Sequence, residues 1–76
     1  MMKKYLPKYR RLGLSVAYFR NLKGLTQEEL AEITNVNTET ISRIENAHTG
    51  FRSDMIFKIT SGLEITLGEL FTHAKI

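Results

Sequence analysis

The sequence predicts an all-α domain of five helices. Three observations predict it. Apolar residues recur in steps of three and four, the spacing of one helix face, and no segment reads as a strand. Glycine and asparagine fall between the periodic segments, and the only proline, Pro7, lies near the start. Three of the five segments open on a clear helix-start signal.

Helix 1 is expected from about residue 8 to Leu22. Leu12, Val16 and Phe19 form its core stripe, and Gly24 is a natural stop because glycine accepts the left-handed conformation at a helix end. Helix 2 starts at Thr26, an N-cap with Glu29 three residues on in a capping box. Leu25 before the cap and Leu30 beyond it stand at the spacing of a hydrophobic staple. Asn35 is the expected left-handed residue at its end. Helix 3 repeats the pattern. Asn37 caps it, Val36 and Ile41 stand at staple spacing, and Ile41 and Ile44 point inward. Thr38, Glu39, Ser42, Arg43 and Asn46 are left on the outer face. Helix 4 covers about 53–63, with Ile56, Ile59 and Leu63 inward and Gly62 permitting close approach. Helix 5 starts at Thr66, with Glu69 closing a second capping box and Ile65 stapled to Leu70, and is expected to fade after Phe71. Residues 1–11 are read as a basic arm or the start of helix 1, and 12–73 as the domain proper.

A chain of 76 residues makes one small domain and buries about 60% of its unfolded surface. With no cysteine it has no disulfide and no thiolate metal site. No apolar run approaches the roughly 20 residues of a membrane span, and the basic N-terminus is not followed by a signal-peptide core. A cytoplasmic, nucleoid-associated protein is therefore expected. Metal, cofactor and small-molecule ligand are not indicated. His48 and His73 lie far apart, and neither a glycine-rich phosphate loop nor a nucleophile paired with a base is visible. Glu28, Glu29 and Glu32 read as a solvated helix face. No catalysis is expected.

The net charge of +3 is unevenly spread. Residues 1–24 hold Lys3, Lys4, Lys8, Arg10, Arg11, Arg20 and Lys23 and no acid. Residues 25–50 hold Glu28, Glu29, Glu32, Glu39 and Glu45 against Arg43 alone. A basic segment of this kind fits either a polyanion partner or a solvated tail.

Helices 2 and 3 are joined by about three residues, "NVN", which forces a steep crossing. That is the helix-turn-helix unit, whose second helix enters the DNA major groove. "TETISR" at the start of helix 3 offers short polar side chains and no bulky outward apolar group. Gln27 lies at a helix N-terminus, where free N–H groups favour a phosphate. Arg43 suits the bidentate fork to guanine, Glu39 the cytosine amino group, and Thr38 and Thr40 a hydrogen bond or a thymine methyl. Glu39 and Arg43 also fit a plain i,i+4 surface ion pair worth about 0.2–0.5 kcal/mol, and the two roles can coexist.

The stretches "R..KGLTQEELA", "ISRIEN" and "GELF" make residues 12 to 71 resemble the phage repressor and Cro-type (XRE) helix-turn-helix family. The resemblance implies a compact five-helix lambda-repressor-like domain and a transcriptional regulator, a probable repressor of Cro-like or controller-like kind. It implies a homodimer on an inverted-repeat operator in double-stranded DNA. It further implies base contacts from Thr38, Glu39 and Arg43, and backbone contacts from Gln27, Asn37, Thr40, Asn46 and the loop that follows. Arg20 and Glu45 would form an internal ion pair, and Leu67, Phe71 and Ile76, with Phe51, a dimer contact. Asn35 and Ala47 stand where the family commonly has glycine.

The acidic motif leaves phosphate neutralisation to other residues. The arm (Lys3, Lys4, Lys8, Arg10, Arg11), Arg52 and His48 are the expected source. Helix 1 also carries a second apolar stripe, Leu14, Tyr18 and Leu22. Cover by Tyr5, Leu6 and Tyr9, cover by helix 5, or a protein partner would account for it, intramolecular cover being the first expectation. The stripe and the acidic motif motivate an alternative function, an antitoxin or other protein-binding module that binds DNA secondarily.

Overall fold

The computed structural model describes residues 6–48 and 52–75. They form five helices: α1 Leu6–Leu22, α2 Gln27–Thr34, α3 Thr38–Glu45, α4 Ser53–Leu63 and α5 Leu67–Ala74. Helix α1 starts two residues earlier than expected, so Lys8, Arg10 and Arg11 stand on it. Helix α5 does not fade after Phe71 but reaches Ala74. Ala74 is buried, and that burial rewards the extra turn.

Both Thr-x-x-Glu starts are reciprocal capping boxes. The Thr26 hydroxyl accepts from the Glu29 N–H at 3.0 Å, and the Thr26 N–H donates to the Glu29 carboxylate at 2.9 Å. Thr66 and Glu69 repeat this at the same distances. Asn37 caps α3 by accepting from the Thr40 N–H at 2.8 Å.

Four helices end in one way, and α5 also ends on a left-handed residue, Lys75 at φ 61°. Just past the last turn of each of the four a residue becomes left-handed, and paired N–H groups close back on that turn in a Schellman motif. These residues are Gly24, Asn35, Ala47 and Glu64, with φ of 72°, 57°, 59° and 57°. At α3, for example, the His48 N–H donates to the Arg43 carbonyl at 2.8 Å and the Ala47 N–H to that of Ile44 at 3.2 Å. Only one of the four is the glycine that the geometry favours. Asn35 and Ala47 therefore hold a left-handed backbone without being glycine.

Val16, Leu30, Ile41, Ile44, Ile59, Leu63 and Leu70 are almost fully buried and form the core, with Phe19, Leu25, Val36, Met55, Ile56, Ile65 and Phe71 packed around it. Helix α1 packs on α3 and α5, and α2 packs on α3 and α4. Two glycines set the close approaches. A Cβ at Gly13 would fall against the carbonyl oxygens of Ile44 and Glu45, 2.7 Å from the latter, so α1 crosses the end of α3 backbone to backbone. A Cβ at Gly62 would stand 2.7 Å from the Thr34 methyl, which brings α4 against α2. The buried Ser15 hydroxyl donates to the Leu70 carbonyl at 2.8 Å and ties α1 to α5.

Candidate nucleic-acid interface

Helix α3 is held by its inner face and free on its outer one. Ile41 and Ile44 are buried, and the side chains of Glu39, Arg43 and Asn46 are exposed, with Thr38, Thr40 and Ser42 half-buried beside them. The turn that aims the helix is short. Asn35 reverses the chain, Val36 packs on the core, and Asn37 starts α3.

The polar side chains of this face are already ordered by one another. Arg43 donates to the Glu39 carboxylate at 2.6 Å, and both side chains remain more than half exposed. The Asn37 carbonyl oxygen accepts from the Thr40 hydroxyl at 2.8 Å as well as from its N–H. The Asn46 amide donates to the Ser42 carbonyl at 2.9 Å. Each pair fixes rotamers before any ligand arrives, which lowers the ordering cost of binding.

Behind the face lies a buried charge cluster. Arg20 grips Glu45 through two N–H groups at 2.7 and 3.1 Å, with side chains only 13% and 6% exposed. A further Arg20 N–H donates to the Leu25 carbonyl at 2.8 Å. The Gln27 amide donates at 2.9 Å to Oε1 of the same carboxylate, the oxygen that also accepts from Arg20 Nη2. Glu45 therefore locks together the end of α1, the start of α2 and the end of α3. The Gln27–Glu45 link had no signal in the sequence, because it spans 18 residues and depends on the crossing angle. With one N–H on Glu45, Gln27 keeps a second N–H at the exposed start of α2.

The basic residues of α1 divide between two sides. Arg10 borders a recess with Leu14, Glu45 and Asn46, beside the end of α3. Arg11 lies on the opposite flank, where it donates to the Lys75 carbonyl at 3.4 Å and helps to close α5. Lys8 is exposed on the first turns of α1, His48 follows α3, and Arg52 precedes α4 with no side-chain capping bond. Lys3, Lys4, Tyr5, Phe51 and Ile76 lie outside the described residues. An open groove of about 530 Å³ runs between α2 and the start of α3, lined by Glu28, Ala31, Glu32, Asn35, Val36, Asn37 and Thr38.

Of the dimer residues expected, Leu67 and Phe71 are half-buried, and Phe71 packs on the core. Phe57 on α4 is 60% exposed and was not expected there. "MIFKI" holds four apolar residues in five positions, so its pattern does not say which one points out. On α1, Tyr18 stacks on His73 of α5 at 3.9 Å, a partial intramolecular cover. Leu14 and Leu22 nevertheless stay 65% and 63% exposed. Among the described residues no group of three His, Cys, Asp or Glu side chains could hold a metal ion, and no helix is long and apolar enough to cross a membrane.

A protein-family model described as helix-turn-helix matches residues 16–70. Among curated proteins, the chain is 23% identical over 64 residues to the competence pilus inhibition repressor of Acinetobacter baylyi. The match takes in 84% of this chain and 58% of that protein, so the chain spans little more than half of its relative's length. Among solved structures, the clp gene regulator ClgR of Corynebacterium glutamicum superposes with a TM-score of 0.86 at 25% identity, over 90% of this chain and 88% of that one. The wild-type restriction-modification controller protein C.Esp1396I superposes with a TM-score of 0.83 at 26% identity, over 90% and 87% of the two chains.

Proposed function

The chain belongs to the helix-turn-helix family, of the phage repressor and Cro (XRE) type, and on that premise we propose that it is a transcriptional repressor that binds an inverted-repeat operator as a homodimer. The observation that carries this reading is the outer face of α3: polar, exposed and pre-ordered, on a helix whose other face is fully used by the core. Such a helix fits the major groove, and apolar packing gives no reason for its outward residues.

In this reading Arg43 donates to guanine O6 and N7, Glu39 orients it and accepts from a neighbouring cytosine, and Thr38 meets the outer base. Phosphates are held by the second amide N–H of Gln27, by the amide N–H groups of Asn37 and Asn46, by the Thr40 hydroxyl, and by His48 and Arg52. Arg10, beside Asn46, extends that row, with Lys8 and Arg11 more distant. These contacts position the protein, and the α3 contacts specify the sequence. The dimer contact is assigned to Leu67, Phe71 and Ile76. Phe57 adds apolar surface from α4, the helix that packs on α5. Relatives named as a repressor and as a restriction-modification controller support the repressor assignment.

Selection from a random duplex library at near-physiological salt tests this. The expected product is an inverted repeat with half-sites about one helical turn apart. An enriched single half-site would remove the dimer from the proposal. A folded protein that enriches nothing would remove base reading by α3 and favour the protein-binding alternative, which the exposed α1 stripe and the acidic motif support.

A further inference from the structure

Two exposed patches of the chain complement one another. The first lies on the outer side of α1. Leu14, Tyr18 and Leu22 follow at i, i+4 and i+8, 65%, 44% and 63% exposed, over about 12 Å of helix. Arg10 and Arg11 stand one turn before Leu14, and α1 carries no acidic residue. The second lies on the outer side of α2. Ile33, 54% exposed, stands one turn from Glu29 and next to Glu32, with Glu28 farther round the same outer side, and all three acids are exposed. Glu29 is partly engaged by its capping box, and among the described residues Glu28 and Glu32 have no ion-pair partner. A Cβ built at Gly62 of α4 would stand 3.3 Å from an Ile33 methyl, so Ile33 lies at the α4 edge of that side.

Helix α1 packs on α3 and α5, whereas α2 packs on α3 and α4. Among the described residues no ion pair joins the two patches. One is apolar with cations, and the other is apolar with anions. We propose that the α1 patch of one copy docks on the α2 patch of the next, in a head-to-tail contact between copies of this chain. It is separate from the dimer contact assigned to α5.

Such a contact is heterologous, so it propagates until geometry stops it. Each side is small, well below the interface of a stable dimer, so free copies associate weakly. Copies already on neighbouring DNA sites gain from their high effective concentration, and the contact then makes occupancy cooperative. That consequence rests on the DNA-binding reading above, but the contact itself does not.

The test therefore uses protein alone. The full chain is studied by sedimentation equilibrium at low and high salt with two variants, Leu14→Ser/Leu22→Ser and Ile33→Ser. All three positions are exposed, and circular dichroism melting checks that each variant folds. Loaded at up to about millimolar protein, where a weak contact is populated, the wild type is expected to grow past any two-chain species, and more so at low salt. Each variant should weaken that growth roughly tenfold or more. Mixing the variants should restore association that neither shows alone, because each supplies the face the other lacks. Wild-type chains that do not grow overturn the proposal. So does growth that survives in the Ile33→Ser variant, which would mean α1 pairs with α1, or a mixture that fails to restore association. Because no DNA is present, failure here leaves the operator selection untouched.

Discussion

At Glu45 a single carboxylate accepts from two side chains, Arg20 and Gln27, which come from different helices. Removing one partner from a buried pair leaves a charge without compensation, which costs far more than the pair contributes against an apolar replacement. Arg20→Ala is therefore expected to lower stability by roughly 3–5 kcal/mol in urea unfolding. Affinity per folded molecule should change less. Near-native melting together with abolished DNA binding would reverse that assignment. The exposed Arg43–Glu39 pair should behave oppositely. Arg43→Ala should change stability by no more than about 0.5 kcal/mol. On the selected operator it should cost about 1–3 kcal/mol of binding and relax preference at a single base position. A uniform loss across all sequences would make Arg43 a phosphate contact instead.

Helices that end on left-handed residues carry strain wherever glycine is missing. Glu64 is exposed and left-handed at the end of α4, so Glu64→Gly relieves about 1–2 kcal/mol of backbone strain and gives back about 0.4–1 kcal/mol of chain entropy. A net gain of up to about 1.6 kcal/mol in thermal unfolding is expected, and a loss would point to a role for its side chain. Ala47 has the same backbone but a buried methyl, so Ala47→Gly should gain less. Gly13 is different. Its freedom of φ is not used; its missing side chain is. Gly13→Ala puts a methyl against the carbonyl oxygens of Ile44 and Glu45, which are backbone and cannot swing aside. A loss of roughly 1–3 kcal/mol is expected. Weaker DNA binding should accompany it, because the atoms displaced are the end of α3. A neutral result would show that α1 can shift without cost.

For the whole molecule, the charge asymmetry of the sequence becomes a matter of sides. Arg10 and Arg11 are adjacent in the chain, but the helix sends one toward Asn46 at the end of α3 and the other to the Lys75 carbonyl at the end of α5. If α3 faces DNA, only the first is near phosphate. Arg10→Gln should then reduce the slope of log K against log salt by about one. Arg11→Gln should leave the slope nearly unchanged. Equal effects would mean that the basic residues of α1 act as an undirected cloud of charge. Because α1 starts at Leu6, such neutralising changes are cleaner than deleting residues 1–9, which would remove its first turn.

What the sequence determined by itself is everything set within three or four residues. Thr26 with Glu29, Thr66 with Glu69 and Asn37 with Thr40 are bonds between near neighbours, so the pattern of letters already contains them. The short "NVN" link likewise fixed the crossing of α2 and α3, and with it the outward face of Glu39 and Arg43. The end of α5 is not written locally, because its last turn depends on burying Ala74 and not on any local stop signal. Arg20 with Glu45 was reached only through family resemblance. Gln27 with Glu45, Ser15 with the Leu70 carbonyl, and Gly13 against α3 have no signature in the letters. These contacts span 18 to 55 residues and exist only once helix axes have their angles and distances. The same holds for the exposure of Leu14, Leu22, Ile33 and Phe57. An apolar pattern states that a helix has a face to bury, and only the packing of the other helices decides which apolar side chains are left outside it.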